Sequence, residues 1–308
     1  MMLQRQMLAG VDRTRLRLAR VQEQASSGLR INRPSDDPAG SGEAAALRNR
    51  LDATAQVARN IGQADLRLRA SEDALFEVTD VLIRARELAV QGANGTLDLA
   101  ARRQIASEIE GLHGRLVAAG NTQSGGAHVF AGFASATVPF VASGPFVDGL
   151  PAPSVSFAGD TSEVEIEIDT GVRLRATLNG QRVFQGDADG DGSPDAGRED
   201  LFEVLADLRD ALQADDQAAV AAVTARLDAA QDQISEETAR LGGRSARLDA
   251  QRDTLARREV QLAARLSEVQ DADSIRVLSE LVREEKVLEG SLAVAARIIQ
   301  PTLLDFLR

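Results

Sequence analysis

The 308-residue chain has no cysteine, tryptophan or tyrosine, and Lys286 is its only lysine. The lack of cysteine excludes disulfides, thiolate metal sites and a cysteine nucleophile together. Aromatic residues make up 3% of the chain and the apolar residues are mostly Ala, Leu and Val, a composition that favours helix packed on helix in an elongated shape over a thick globular centre. A net charge of −12 argues against nucleic acid or an anionic membrane as the main partner, because a phosphate-reading surface needs clustered Lys and Arg. Long apolar runs are missing as well. Met7 to Val11 is followed at once by Asp12, Arg13, Arg15 and Arg17, unlike the core of a cleavable signal peptide. Leu292 to Leu307 is interrupted by Arg297, Gln300, Pro301 and Asp305, so no membrane insertion is expected. His113 and His128, the two histidines, sit in no metal or triad pattern, which leaves a packing or surface role and no catalytic constellation.

What the chain does have is helical periodicity at both ends. Leu3, Met7, Val11, Thr14, Leu18, Val21 and Ala25 lay one apolar stripe along a first helix, which Gly28 stops. Residues 31–40, with two prolines and turn-forming Asn, Ser and Asp, read as an ordered loop. From Ser41 a proline-free pattern runs through Leu47, Leu51, Ile61, Leu68, Leu75 and Leu82 to Ala89, long enough for a coiled-coil-like rod. A turn at Gln91–Thr96 and a returning helix to Asn121 predict an antiparallel hairpin. Helical pattern resumes at Leu201 and continues past Leu212 and Val220 to Val269, with Gly242–Gly243 either ending it or merely weakening it. A last amphipathic helix is expected over Leu281, Leu288, Leu292, Ile299, Leu303 and Phe306.

The middle differs. Six of the nine phenylalanines fall between Phe130 and Phe184. Val129–Phe130, Pro139–Val141, Val155–Phe157, Val164–Ile168 and Val172–Ala176 read as short strands, and Asn179–Gly180 as a tight turn before Val183–Phe184. The fold class is therefore mainly α with an inserted β domain. Residues 1–45 and 265–308 are expected to form a terminal coiled-coil assembly domain, 46–124 and 199–264 a helical rod, and 125–198 an outer β-rich domain; deletion of residues 135–196 should spare assembly more than deletion of residues 290–308. The ends carry opposite charge, +5 over residues 1–33 and −3 over residues 267–308, which suits two terminal helices lying side by side.

In the stretch Asp187-Ala-Asp-Gly-Asp-Gly-Ser-Pro-Asp195, Asp187, Asp189 and Asp191 with Gly192 match the first six positions of an EF-hand calcium loop. The twelfth position is Arg198 where a bidentate Glu is needed, so a solvated acidic turn stands beside a weak Ca2+ site as the reading. No other cofactor is expected.

The segment Ser27-Gly-Leu-Arg-Ile-Asn-Arg-Pro-Ser-Asp-Asp-Pro-Ala-Gly40 resembles the region that follows the first helix in flagellins and their relatives. Val90-Gln-Gly-Ala-Asn-Gly-Thr96 with Ile105, Glu108 and Ile109 is similar to the family's second helix-turn-helix, and Ala272-Asp273 with Leu281, Leu292 and Leu303-Leu304 to its closing helix. Within the superfamily, Gly126-Ala-His-Val-Phe-Ala-Gly-Phe133, Pro139-Phe140 and Asn179-Gly-Gln-Arg-Val-Phe-Gln-Gly186 resemble the hook-filament junction proteins more than the filament flagellins. The resemblance implies a non-enzymatic structural part of the bacterial flagellum, exported unfolded by the flagellar type III apparatus and outside the cell. It implies four partners: identical copies in a ring, hook-associated protein 1, flagellin and an export chaperone. A small filament flagellin is the alternative, and a secreted calcium-dependent binding module on a coiled-coil stalk a second one.

Two isolated helices bury only one seam of their stripes, so full burial of Leu3, Met7, Val11, Leu18 and Val21 and of the closing-helix residues calls for neighbouring copies. Arg30, Asn32, Arg33, Asp36 and Asp37 are the candidate polar contacts between copies.

Overall fold

Aspartates punctuate this chain, and each helix after the first starts from one. In the computed structural model, which describes residues 2–169 and 171–299, helix α1 (Met2–Ser27) ends where Gly28 takes a left-handed φ of 72°, the conformation glycine adopts at lowest cost. Helix α2 (Pro38–Gly92) begins with proline, whose missing N–H is no loss in a first turn. The carboxylate of Asp37 accepts the Gly40 N–H at 2.9 Å. Asp98 caps α3 (Leu99–Gly120) by accepting from Ala101 N at 2.7 Å, and Asp200 caps α4 (Leu201–Gln213) by accepting from Phe202 and Glu203. Asp216 does the same for α5 (Gln217–Gln270) and Asp273 for α6 (Ser274–Ile299). Each such cap satisfies helix N–H groups that have no partner within the helix.

The expected continuity from Leu212 to Val220 is thus broken. Ala214–Asp216 form a turn in which Asp215 takes a φ of 60°, and the Asp216 N–H reaches back to Ala211 O at 3.0 Å. Gly242–Gly243, by contrast, lie inside an uninterrupted α5.

The chain divides into two compact units, one of residues up to 55 together with residues from 256 onward, the other of residues 56–255. In the second unit, buried Ile61, Leu68, Leu75 and Leu82 on α2, and Leu227, Ile234, Leu241, Leu248 and Leu255 on α5, recur every seven residues. This is the seam expected of a coiled coil. Ion pairs fix the directions. Glu77–Arg115 and Arg84–Glu108, both at 2.7 Å, make α2 and α3 an antiparallel hairpin, and Asp65–Arg252 at 3.1 Å with Arg86–Asp228 at 2.6 Å make α2 and α5 antiparallel as well. Helix α4 packs on α3, and the four helical segments share one core. A fully buried Leu contributes about 1.5–3 kcal/mol, so this shared seam dominates the unit's stability.

Between α3 and α4 lie three separate antiparallel pairs: β1 (Gln123–Ser124) with β2 (Ala127–His128), β3 (Phe140–Ala142) with β4 (Val155–Phe157), and β5 (Glu165–Asp169) with β6 (Val172–Arg175). Two local expectations fail. Val129–Phe130 is no strand: Phe130 is fully buried beneath the chain, and no neighbouring strand pairs with it. Asn179–Gly180 does not turn into a strand but opens a π-helical turn at Gln181–Gln185, in which Asn179 Oδ1 accepts the N–H groups of Gln181 and Arg182.

The middle segment also has no core of its own. Phe130, Phe140 and Phe184 belong to the same buried cluster as α2, α3, α4 and α5. Residues 135–196 thus contribute Phe140 and Phe184 to the helical core. Most of the length of the segments 46–124, 125–198 and 199–264 falls in the one unit 56–255. Among the described residues no helix is long and apolar enough to cross a membrane.

Candidate assembly surface

Helices α1 and α6 pack together in the first unit, with Arg17 facing Glu284 at 3.8 Å. Their seam buries Val11, Thr14 and Val21 from α1 and Val277 and Ala295 from α6, while Leu18, Leu281 and Leu288 are half-buried along it. Of the candidate interface residues, Val11 and Val21 are thus already covered within the chain. Leu292 is exposed, and so are several residues that the stripe did not single out as interface: Leu8, Leu16, Ile275, Leu278, Val282 and Val294. Leu16 is 71% and Ile275 80% exposed, so an apolar face remains open beside the closed seam. An open groove of about 740 Å³ runs along the pair, lined by Gly10, Val11, Thr14, Leu16, Gly290 and Val294 among others. Leu3, Met7 and Ile299 have side chains outside the described set, and Leu303 and Phe306 lie outside the described residues.

The loop after α1 is built around charge. Arg30 pairs with Asp37 at 3.2 Å and donates to Val269 O at 2.6 Å. The Gly40 N–H and the Arg30 guanidinium hold the Asp37 carboxyl below the usual carboxylate range. Arg33 pairs with Glu23 at 3.0 Å, Asp36 takes Arg20 at 3.5 Å and the N–H of Arg33 at 2.9 Å, and Asn32 donates to Leu29 O at 3.1 Å. All five candidate polar residues are therefore engaged inside the chain. Their shared result is a joint. Arg30 N donates to Gln270 O at 2.7 Å, Ala272 N donates to Gly28 O at 2.9 Å, and Leu29 bridges Asp271 in antiparallel fashion. The break between α1 and α2 and the break between α5 and α6 are zipped to each other. No local pattern announces a pairing across some 240 residues.

The middle phrases converge too. Phe140 lies 5.0 Å from Phe184, 5.1 Å from Phe202 and 5.3 Å from Phe157, and Phe130 stands edge-on to Phe184 at 5.1 Å. Gly180 is required there, because a Cβ would come within 2.5 Å of Phe130 O. Gly132, at a φ of 61°, passes under the carbonyl of Asp160 with room for no Cβ. These contacts join residues 126–133 to residues 179–186.

Carboxylate oxygens of Asp187, Asp189 and Asp191 lie within 4.8 Å of one another. Asp187 is buried and already accepts from Gly190 N at 2.6 Å, Gly192 N at 2.8 Å and Gln181 Nε2 at 2.6 Å, while Arg198 is turned to Glu236 at 2.9 Å. The turn closes on its own N–H donors, and the acid pattern lacks its last ligand. His128 is bonded to Asn121 O at 2.9 Å and Gln123 at 3.0 Å, and His113 packs against Phe146 and Phe202. Both are packing residues.

Comparison with known proteins fits this arrangement. Residues 1–135 match the bacterial flagellin N-terminal helical region. The solved structure of a putative flagellar hook-associated protein from Vibrio parahaemolyticus shares the fold, with a TM-score of 0.64 over 77% of this chain and all of that one at 20% identity. The filament 41 kDa core protein of Borreliella burgdorferi is 44% identical, but over 31% of this chain and 28% of its own. The chain thus has the fold of the flagellin-type structural proteins of the bacterial flagellum. Two relatives match nearly from end to end: flagellar hook-associated protein 3 of Escherichia coli, 27% identical over 94% of this chain and 93% of that protein, and the filament 33 kDa core protein of Treponema phagedenis, 25% identical over 96% of this chain and 94% of that one.

Proposed function

We propose that the chain is a structural subunit of the flagellum at the junction of hook and filament, without catalysis. Its near-full-length likeness to flagellar hook-associated protein 3 carries this reading. The subunits form a ring of identical copies, with hook-associated protein 1 beneath and flagellin above, after export outside the cell through the flagellar apparatus with the help of a chaperone. The open apolar face and groove of α1 and α6 support assembly through the terminal helices, since an apolar stripe left outside one seam gains burial only against another chain. Leu16, Ile275, Leu278 and Leu292 join Leu18, Leu281 and Leu288 as the residues assigned to that contact. Arg30, Asn32, Arg33, Asp36 and Asp37 shape the joint that presents these helices and take part in contacts between copies through their outer edges.

The test is where the protein sits. Mass spectrometry of hook-basal bodies freed of filament should recover it, and labelling of intact flagella should mark only the filament base. Signal along the filament, or long filaments grown from the purified chain alone, would make it a filament flagellin, a reading that the likeness to the Borreliella burgdorferi and Treponema phagedenis filament core proteins keeps as the competing outcome.

A further inference from the structure

Within residues 56–255, the outward face of α2 carries an apolar row that nothing among the described residues covers. Phe76, Ile83 and Val90 follow at seven-residue intervals and are 54%, 47% and 60% exposed, in a line with about 10 Å between neighbours. Asp73 and Asp80 stand beside the row, exposed and without an ion-pair partner among the described residues. The outward face of α5 has the converse relief. Ala239, Gly242, Gly243 and Ala246 are all exposed, and a Cβ on either glycine would meet nothing within 4 Å. Neither glycine has a positive φ. Two adjacent glycines therefore weaken a continuous helix without serving any packing or turn inside the chain, and what glycine offers there is close approach to the backbone from outside. Arg247, one turn further on, is exposed and likewise unpaired among the described residues.

The ion pairs Asp65–Arg252 and Arg86–Asp228 set the relative heights of these faces. On that register Phe76 stands level with Ala239, and Asp73 level with Gly243. A copy set beside another with an offset of about one helical turn would bring Phe76 to the glycine gap and Asp73 to Arg247.

We propose that Phe76, the first residue of the Phe76–Ile83–Val90 row, packs in one copy on the Ala239–Gly243 face of the next, with Ile83 and Val90 continuing along that helix toward its N-terminus. The acidic rim of α2 meets Arg247, so charge and relief both match. Because the two patches differ and every copy has one of each, the contact is head-to-tail and repeats from copy to copy. It rests on the self-assembly proposed above and adds the faces and the polarity of the contact.

The chain's freedom from cysteine makes disulfide trapping clean. The purified full-length Phe76→Cys/Gly243→Cys double variant, oxidised with copper phenanthroline, should give a ladder of trimers and higher species on a non-reducing gel. An equimolar mixture of the two single variants should stop at dimers, and each single variant alone should stay monomeric. Adding Gly242→Leu to the double variant fills the gap and should remove the ladder while leaving the thermal midpoint unchanged or raised, leucine being a better helix former. A double variant that forms nothing above a dimer, or a Phe76→Cys chain that dimerises alone because the row meets itself, would overturn the proposal. Localisation on flagella reads the functional assignment independently. A ladder without localisation overturns that assignment alone, and localisation without a ladder overturns this contact alone.

Discussion

Arg182 donates at 2.8 Å to the carboxylate of Glu237, a side chain with no solvent exposure at all. Arg182 comes from the π-helical turn of the middle segment and Glu237 from α5, so one ion pair fastens the aromatic cluster to the long helix. Arg240 at 2.9 Å and Arg198 at 3.4 Å share the same carboxylate, and Arg182 also faces Glu163, which takes Arg175 and Arg244. Removing one partner of a buried pair leaves the others uncompensated, so Glu237→Ala should destabilise the protein by about 3–5 kcal/mol in urea unfolding. Glu236→Ala, whose carboxylate is half exposed, should stay within about 1 kcal/mol of the parent. Equal losses in the two variants would show that the network is a surface feature.

Gly242 and Gly243 permit a prediction of the opposite sign. Both lie in helical backbone with open space around the missing Cβ, so Gly242→Ala and Gly243→Ala should each stabilise the isolated chain by about 0.5–1 kcal/mol. A rise in urea midpoint at unchanged slope is the expected reading. A fall would mean that the free chain uses the glycines for packing or bending.

These glycines also show where the sequence was readable. The seven-residue recurrence of Ile61, Leu68, Leu75 and Leu82 was legible because a heptad repeat is local and α2 keeps it unbroken. The Asp215 break was not legible, since Val220 and Val223 resume the apolar spacing and hide a three-residue turn whose cue is only the Asp215–Asp216 pair. The short strands at Phe140, Val155, Glu165 and Val172 were found from alternation. Phe130 and Phe184 misled, because β-propensity reports a half-buried pleated surface and these two rings are buried by helices instead. The apolar spacing located the stripe on α1, and its members Val11 and Val21 are buried within the chain. The joint between Arg30 and Gln270 depends on long-range pairing and left no local trace.

Calcium should leave this protein unchanged. Both oxygens of Asp187 already accept N–H groups, and the position that would supply a bidentate ligand is Arg198, held by Glu236 and Glu237. Calorimetric titration is expected to show no saturable heat, with an unshifted thermal midpoint. A saturable isotherm that Asp189→Ala abolishes would establish the acidic turn as a cation site.

Acid should weaken the fold through His113. Its ring stands at 90° to Phe146 at 5.0 Å and edge-on to Phe202 at 6.0 Å, its Nε2 has no hydrogen-bond partner, and burial draws its pKa from 6.5 down to about 4. On the far side of the contact, Arg209 lies over Phe146 at 5.4 Å and is neutralised by Glu110 and Asp210, each at 2.8 Å, so no carboxylate is left over to receive a protonated imidazole. The unfolded chain takes up the proton near 6.5 and the folded chain only near 4. The stability that neutral His113 contributes is therefore complete above 6.5, declines as pH falls, and is lost below 4. At about 1.4 kcal/mol per unit, the decline amounts to roughly 3 kcal/mol. Asp200, whose carboxyl is raised by burial, works in the opposite direction, so the difference between parent and variant isolates the histidine. Urea unfolding of His113→Leu at pH 7 and pH 4.5 should show an acid loss smaller than the parent's by about 2–3 kcal/mol. Parallel pH profiles for the two proteins would mean that the imidazole is solvated or paired in the folded chain.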